Sequence, residues 1–230
     1  MAVYTIAELG SSLMPFTKER LNLFLTHAMW AGTNAVKIQL FRADHFPNAE
    51  RAEKQRLEFP RELFEWFIAR ARFCKLHVGA SVFDKDAIDL CCRLGTDFIK
   101  LATREQHNLA LREHTQQFKG PIIRSIDFMD LPQYESRLPR EVTLGCVPKY
   151  PTPFNSQLRA RMAPYLAESY LPDPWGWSSH TIGLDDVIIA VQAGAKVIEK
   201  HLRVSEKDIE ARWSLDWYQW ETMERIIECL

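Results

Sequence analysis

Short apolar runs alternate along the chain with longer stretches whose hydrophobic positions recur at helical spacing. "VYTIAEL" predicts a strand, and "TKERLNLFLTHAMWAG" follows with leucines and aromatics at helical spacing and a closing glycine. "AVKIQLF" predicts a second strand, followed by a polar connection and the helix "RELFEWFIARARFC". The pairs "HVGASVF" with "DAIDLCCRLG" and "FIKLAT" with "NLALREHTQQF" continue the alternation. "PIIRSI" precedes a short helix around "LPQYESRL", and "VTLGCV" precedes a proline-rich turn and the helix "NSQLRARMAPYLAE". "WGWSS" leads into "LDDVIIAVQAG", and "KVIEKHL" leads to a last helix in "LDWYQWETMERIIECL".

The strands are continuous apolar runs, as parallel strands covered on both faces require. About eight strand-then-helix units in 230 residues predict an α/β protein, a (β/α)8 TIM barrel occupying residues 1–230 as a single domain. A doubly wound open sheet is the alternative, because periodicity does not prove closure. No linker, repeat or low-complexity segment interrupts the series.

Charge narrows the function classes. Lys and Arg total 29 against 30 Asp and Glu, a net charge of -1, so no global field draws the protein to nucleic acid or an anionic membrane. Anion binding must therefore be local. The five cysteines are odd in number and lack a CxxC pair, which points to reduced thiols, core packing and a cytoplasmic setting. No secretory signal pattern opens the chain, and no run approaches the roughly 18 apolar residues of a membrane span.

A barrel places its chemistry at the carboxyl ends of its strands. Polar residues collect there: Glu8; Lys37 and Gln39; Ser81 and Asp84; Lys100 and Thr103; Arg124 and Ser125; Lys149 and Tyr150; Ser178 and His180; Glu199 and His201. A lysine inside an apolar strand, as in "AVKIQL" or "FIKLA", is costly to bury, which favours a functional reading of Lys37 and Lys100. The serines and threonines taken singly are as expected of turns and caps, and only their convergence marks them. Glu199 and Lys200 point to opposite sides of one strand, so one of them is open to a structural role.

The series "IAELG", "AVKIQLF", "FDKDAIDL", "FIKLAT", "CVPKYPTPF", "SSHTIG" and "AGAKVIEKHL" resembles the sialic acid synthase family, through almost the whole chain and in order. That resemblance implies an enzyme condensing phosphoenolpyruvate with an N-acetylated hexose, such as N-acetylmannosamine, to give a nonulosonic acid and phosphate. It implies that His180 and His201 hold a divalent metal, typically manganese. Lys37 and Lys100, with hydroxyls at Ser81, Thr103, Ser125 and Ser178, would bind phosphoenolpyruvate. Glu8, Gln39, Glu105 and Tyr150 would face the sugar, Glu8 and Glu105 joining Lys37 and Lys100 as catalytic groups.

The chain also departs from the family pattern. Ser12 and Leu13 replace an Asn-His pair, Ser179 replaces an acidic residue, and Pro148 with Lys149 replace small polar residues. Ser125, Ile126 and Asp127 stand where the family has a Ser-Thr-Gly turn, with Arg124 just before them, and Glu210 aligns with the acidic residue of the last loop. Arg124 and Lys149 would be additional anion ligands, suited to a related synthase acting on a phosphorylated sugar; a non-catalytic barrel is the reading from another class. Family members form homodimers in which an antifreeze-like lid domain from the partner subunit covers the site. No such domain fits in this chain as read, leaving a truncation, a separate lid chain, or compensation by Arg124 and Lys149. Trp213, Trp217 and Trp220 recur at helical spacing, predicting one helical face that closes the barrel wall or forms a dimer contact.

Overall fold

A computed structural model describes residues 2–128, 138–167 and 174–230. Its elements run β1 (Tyr4–Glu8), α1 (Lys18–Trp30), β2 (Ala35–Leu40), α2 (Asn48–Leu57), α3 (Phe64–Phe73), β3 (His77–Val82), α4 (Lys85–Leu94) and β4 (Phe98–Leu101). The second half runs α5 (Leu109–His114), β5 (Ile122–Asp127), β6 (Glu141–Cys146), α6 (Ser156–Ala167), β7 (Trp175–Ser179), α7 (Asp185–Gln192), β8 (Val197–His201) and α8 (Trp217–Glu228). The strands pair in parallel, each with the next, and β8 pairs with β1, closing the sheet into a TIM barrel. Closure rules out the open-sheet alternative. The helix expected around "LPQYESRL" lies almost wholly outside the described residues.

Local chemistry fixes the helix starts. Thr17 caps α1 by accepting from the Arg20 N–H at 3.3 Å, and Asp84 caps α4 by accepting from Ala87 at 2.6 Å. Asp84 is thereby a structural cap rather than a site residue. Asp216 and Gln219 form a capping box that starts α8 at Trp217. Trp213 therefore lies before the helix, and the three tryptophans do not share one helical face. Trp220 is fully buried in the wall, whereas Trp217 packs on α1, with ring centroids 6.3 Å from His27 and 5.8 Å from Trp30. Helix α2 sits in what the sequence presents as a polar connection; it has no buried residue, hence no apolar stripe to betray it.

Two apolar cores flank the sheet. The larger lies between strands and helices. The smaller fills the barrel's interior with Ile6, Ala35, Phe98, Ile123, Leu144 and Val197. Gly79 makes room there, since a Cβ at that position would overlap the Phe98 ring. Alternation along each strand then carries the same inward phase up to Glu8, Lys37, Lys100, Ser125 and Glu199, a polar layer above an apolar one. Cysteines 74, 91 and 146 are buried, but Cys92 and Cys229 are exposed, so core packing explains only three of the five. Among the described residues no helix is long and apolar enough to cross a membrane.

Candidate active site

The polar layer forms the floor of a cavity of about 430 Å³ at the carboxyl ends of the strands. Lys37 and Glu8, from neighbouring strands, are in direct ion-pair contact, as are Lys100 and Glu199. Lys37 Nζ also donates to Ser81 Oγ at 2.5 Å and lies 3.7 Å from Glu199 Oε2. Lys100 Nζ donates to Ser178 Oγ at 3.2 Å, and Ser178 in turn donates to Glu199 at 3.0 Å. Glu8 accepts from Gly10 N–H at 2.8 Å and from Gln39 Nε2 at 3.1 Å, which orients both groups. Burial alone would lower the Lys37 ammonium, but Glu199 and Glu8 raise it above the ordinary lysine range. Burial alone would raise the Glu199 carboxyl, and Lys100 and Lys37 outweigh that to hold it low. The floor thus pairs Lys37 with Glu8 and Lys100 with Glu199, and Lys37 and Glu199 are held in their charged forms.

Against β7 and β8 the cavity changes character. The rings of His180 and His201 lie 5.6 Å apart, and Tyr150 lies against both, at 4.2 Å from His180 and 6.3 Å from His201. His180 directs Nδ1 to the Val147 carbonyl at 3.1 Å, with Cys146 Sγ at 3.6 Å. Burial first, then the nearby His201, press the His180 imidazole well below its ordinary range, so it is neutral. His201 Nδ1 lies 3.0 Å from Glu210 Oε2, which also accepts from Ser11 N–H and Ser12 Oγ, both at 3.1 Å. Burial would raise the Glu210 carboxyl; His201 and these donors lower it instead. Gly10, at φ +56°, has no Cβ to collide with Glu210 and His201.

The structure gathers most of the sequence-selected residues at the mouth and places Glu105, Arg124 and Lys149 outside the cavity lining. Glu8, Lys37, Gln39, Ser81, Lys100, Thr103, Tyr150 and His201 line the cavity, and Ser178, Ser125 and His180 occupy the same inward layer or its edge. Glu105 is not among the lining residues; its carboxylate turns to Arg104 Nε at 3.1 Å and Asn108 Nδ2 at 2.9 Å. Arg124 lies in the opposite strand phase from Ser125 and faces the helix layer, where its Nε is 3.8 Å from Glu141. Lys149 is exposed outside the cavity lining. Neither cation therefore stands at the mouth.

Other residues take those places. Glu199, set aside in the sequence as one of two alternatives, is the hub of the floor, and Lys200 is the outward partner. Lys54 of α2 and Arg104 line the rim, as does Trp213. The inward phase of β8 could have found Glu199, but nothing in the pattern of an all-polar helix marks Lys54. The departures at positions 12 and 179 prove mild. Ser12 helps seat Glu210, Leu13 is core, and Ser179 points outward, away from the cavity.

A closed parallel barrel with a polar layer and a histidine pair at its carboxyl end belongs to the class of TIM barrels whose mouth is built for chemistry. Residues 24–229 match the model of the NeuB family, and the chain belongs to that family. An N,N'-diacetyllegionaminic acid synthase of Legionella pneumophila is 28% identical over 205 residues, 76% of this chain and 57% of that protein. A pseudaminic acid synthase of Helicobacter pylori is 30% identical over 182 residues, 75% of this chain and 52% of that protein. The chain thus spans little more than half the length of these relatives. An N-acetylneuraminic acid synthetase of Leptospira borgpetersenii, crystallised with citrate, shares the fold at a TM-score of 0.85 and 22% identity, covering 100% of this chain and 84% of that one.

Proposed function

We propose that this barrel catalyses the condensation of phosphoenolpyruvate with an N-acetylated hexose, giving a nonulosonic acid and inorganic phosphate. The observation that carries the reading is the floor: two buried lysines, each tied to a carboxylate and a serine hydroxyl, at the base of a cavity of ligand size. In the reaction, C3 of the enolpyruvate bonds to the aldehyde carbon of the open-chain sugar. Water adds at C2, and the C–O bond to phosphate breaks as phosphate leaves. Lys37, Lys100 and the hydroxyls of Ser81, Thr103 and Ser178 hold the anion; ammonium charge with neutral donors suits a phosphoryl and a carboxylate group together. Gln39, Glu8 and Tyr150 face the sugar.

A divalent metal fits the histidine pair. His180 and His201 each engage Nδ1 with an oxygen acceptor and keep Nε2 for a ligand, and His180 is neutral, as a metal ligand must be. Among the described residues no set of three or more His, Cys, Asp and Glu side chains forms a metal cage, so the two imidazoles would be joined by water or substrate oxygen. The oxygen ligands suit manganese, and the two imidazoles suit a transition metal over magnesium or calcium. Such an ion, when bound, supplies Lewis-acid polarisation of the sugar aldehyde. Glu210 orients His201, and Val147 orients His180.

Phosphate release from phosphoenolpyruvate, measured with manganese and a panel of N-acetylated hexoses, tests the proposal. Release that depends on the hexose, with a nonulosonic acid as product, is the expected result. No release with any member of the panel would leave a barrel that keeps the fold without this chemistry.

A further inference from the structure

The floor's charges cancel in pairs, Lys37 against Glu8 and Lys100 against Glu199, so a phosphoryl group arriving there meets no excess of positive charge. Among the described residues, the cavity's other two lining cations stand at the rim. Lys54 and Arg104 both line the cavity, and both lie over the ring of Phe46: the Lys54 ammonium at 5.2 Å and the Arg104 guanidinium at 4.3 Å from its centroid. Arg104 is also 5.6 Å from the centroid of Phe83. Phe46 is itself buried and packed edge-on to Phe41 at 5.4 Å, so the platform is fixed. Lys54 has no carboxylate partner among the described residues. Arg104 has one, Glu105, reached through Nε, which leaves its terminal nitrogens for another ligand.

The position of the pair matters as much as its charge. Arg104 follows β4 directly, beside the cavity-lining residues Ser81, Lys100 and Thr103. Strands β3 and β4 lie across the barrel from β7 and β8, which carry the histidines. Phosphoenolpyruvate with its phosphoryl group toward Arg104 would therefore turn its enol carbons toward the histidine side, where the sugar aldehyde would stand. Cations resting on aromatic rings hold their heads in place at small entropic expense while leaving their N–H donors free.

We propose that Lys54 and Arg104 form a phosphoryl-binding rim that holds the phosphate of phosphoenolpyruvate above Ser81, Lys100 and Thr103. The inference deepens the function proposed above and rests on it. A phosphorylated acceptor sugar offers the same chemistry from a second source; the location over the lysine and hydroxyl side of the floor favours phosphoenolpyruvate.

Calorimetric titration of the whole chain with phosphoenolpyruvate, and separately with inorganic phosphate, tests the rim without requiring turnover. Lys54→Gln and Arg104→Gln should each weaken phosphoenolpyruvate about tenfold, the double variant more, and Arg104→Lys, which keeps the charge but not the stacked fork, should fall between wild type and Arg104→Gln. The salt dependence of binding should flatten in the double variant. Unchanged affinity for phosphoenolpyruvate in the double variant, with unchanged KM for a hexosamine and for its phosphate ester, overturns the rim and leaves the proposed function standing. A double variant that loses only the phosphate ester supports the rim and assigns its ligand to the acceptor. If wild type binds inorganic phosphate through these residues but not phosphoenolpyruvate, the assignment of the rim to phosphoenolpyruvate and the proposed function are both overturned.

Discussion

Glu199 and Lys200 are neighbours in sequence, and the alternation of β8 sends them into two different polar clusters. Outward, Asp186 accepts from Trp177 Nε1 at 2.8 Å, Ser179 Oγ at 3.1 Å, Thr181 Oγ1 at 2.6 Å and Val187 N–H at 3.0 Å. Lys200 donates to Ser179 Oγ at 2.8 Å and to the Thr181 carbonyl at 2.9 Å. Burial lowers the Lys200 ammonium and Asp186 opposes that. Every polar side chain of this cluster has a protein partner. Inward, Ser125 Oγ has no hydrogen bond and Glu199 Oε2 has only the 3.7 Å ion-pair contact to Lys37, although both are buried beneath the cavity. A buried polar group left without a partner is costly, so an unmet one beside a cavity marks capacity kept for a ligand. The closed cluster ties β7 and β8 to α7; the open one prepares the floor.

If that contrast is right, the hub of the closed cluster matters most to stability. Asp186→Ala would leave the Trp177 N–H, the Ser179 and Thr181 hydroxyls and the Val187 N–H without their acceptor in a dry environment, and should destabilise the fold by about 3–5 kcal/mol. Glu199→Gln keeps the shape of the floor beside the cavity and should show a clearly smaller loss. Urea unfolding followed by tryptophan fluorescence reads both. Equal losses would erase the distinction between the clusters.

The two lysines should divide the next effect between them. Lys100→Met should weaken phosphoenolpyruvate by about 1.5–3 kcal/mol, the range of a charge-assisted hydrogen bond, and weaken the sugar less. Lys200→Met should leave phosphoenolpyruvate affinity unchanged. Calorimetry on both variants decides it: an unaltered affinity in Lys100→Met would make that residue a structural lysine, like Lys200.

The eight strands and most of the floor were legible because strand periodicity carries both fold and phase. A lysine in the apolar run "FIKLA" signals either an error or a site, and its inward phase is fixed by Phe98 two residues before. The same alternation would have shown that Arg124 and Ser125 cannot both face inward; convergence at strand ends was too coarse a criterion. Glu105 and Lys149 fall outside the cavity lining for a different reason. They lie beyond the strands, where side-chain direction depends on local turns and on partners such as Asn108. Lys54 and Trp213 reach the cavity from an all-polar helix and from the turn before α8, so neither carries a periodic signal. Resemblance supplied the histidine pair, since a lone histidine after an apolar strand has no spacing that names its role.

The smallest effect sharpens the contrast most directly, because it compares one hydroxyl with another. Ser179 Oγ sits in the closed cluster, accepting from Lys200 and donating to Asp186. Ser125 Oγ sits in the open one, as buried as Ser179 and without a partner. Removing a hydroxyl that holds two partners takes one hydrogen bond from each, so Ser179→Ala should destabilise by about 1–2 kcal/mol with no change in ligand affinity. Removing one that holds none relieves an unmet group, so Ser125→Ala should leave stability within about 0.5 kcal/mol of wild type, or raise it. Its loss should appear instead in binding, with phosphoenolpyruvate weakened by about 1 kcal/mol, the net contribution of one neutral hydrogen bond. Thermal unfolding with and without phosphoenolpyruvate measures both quantities in one experiment. A Ser125→Ala variant that is less stable without ligand, yet gains as much from it as wild type, would place Ser125 with the structural hydroxyls and remove it from the floor.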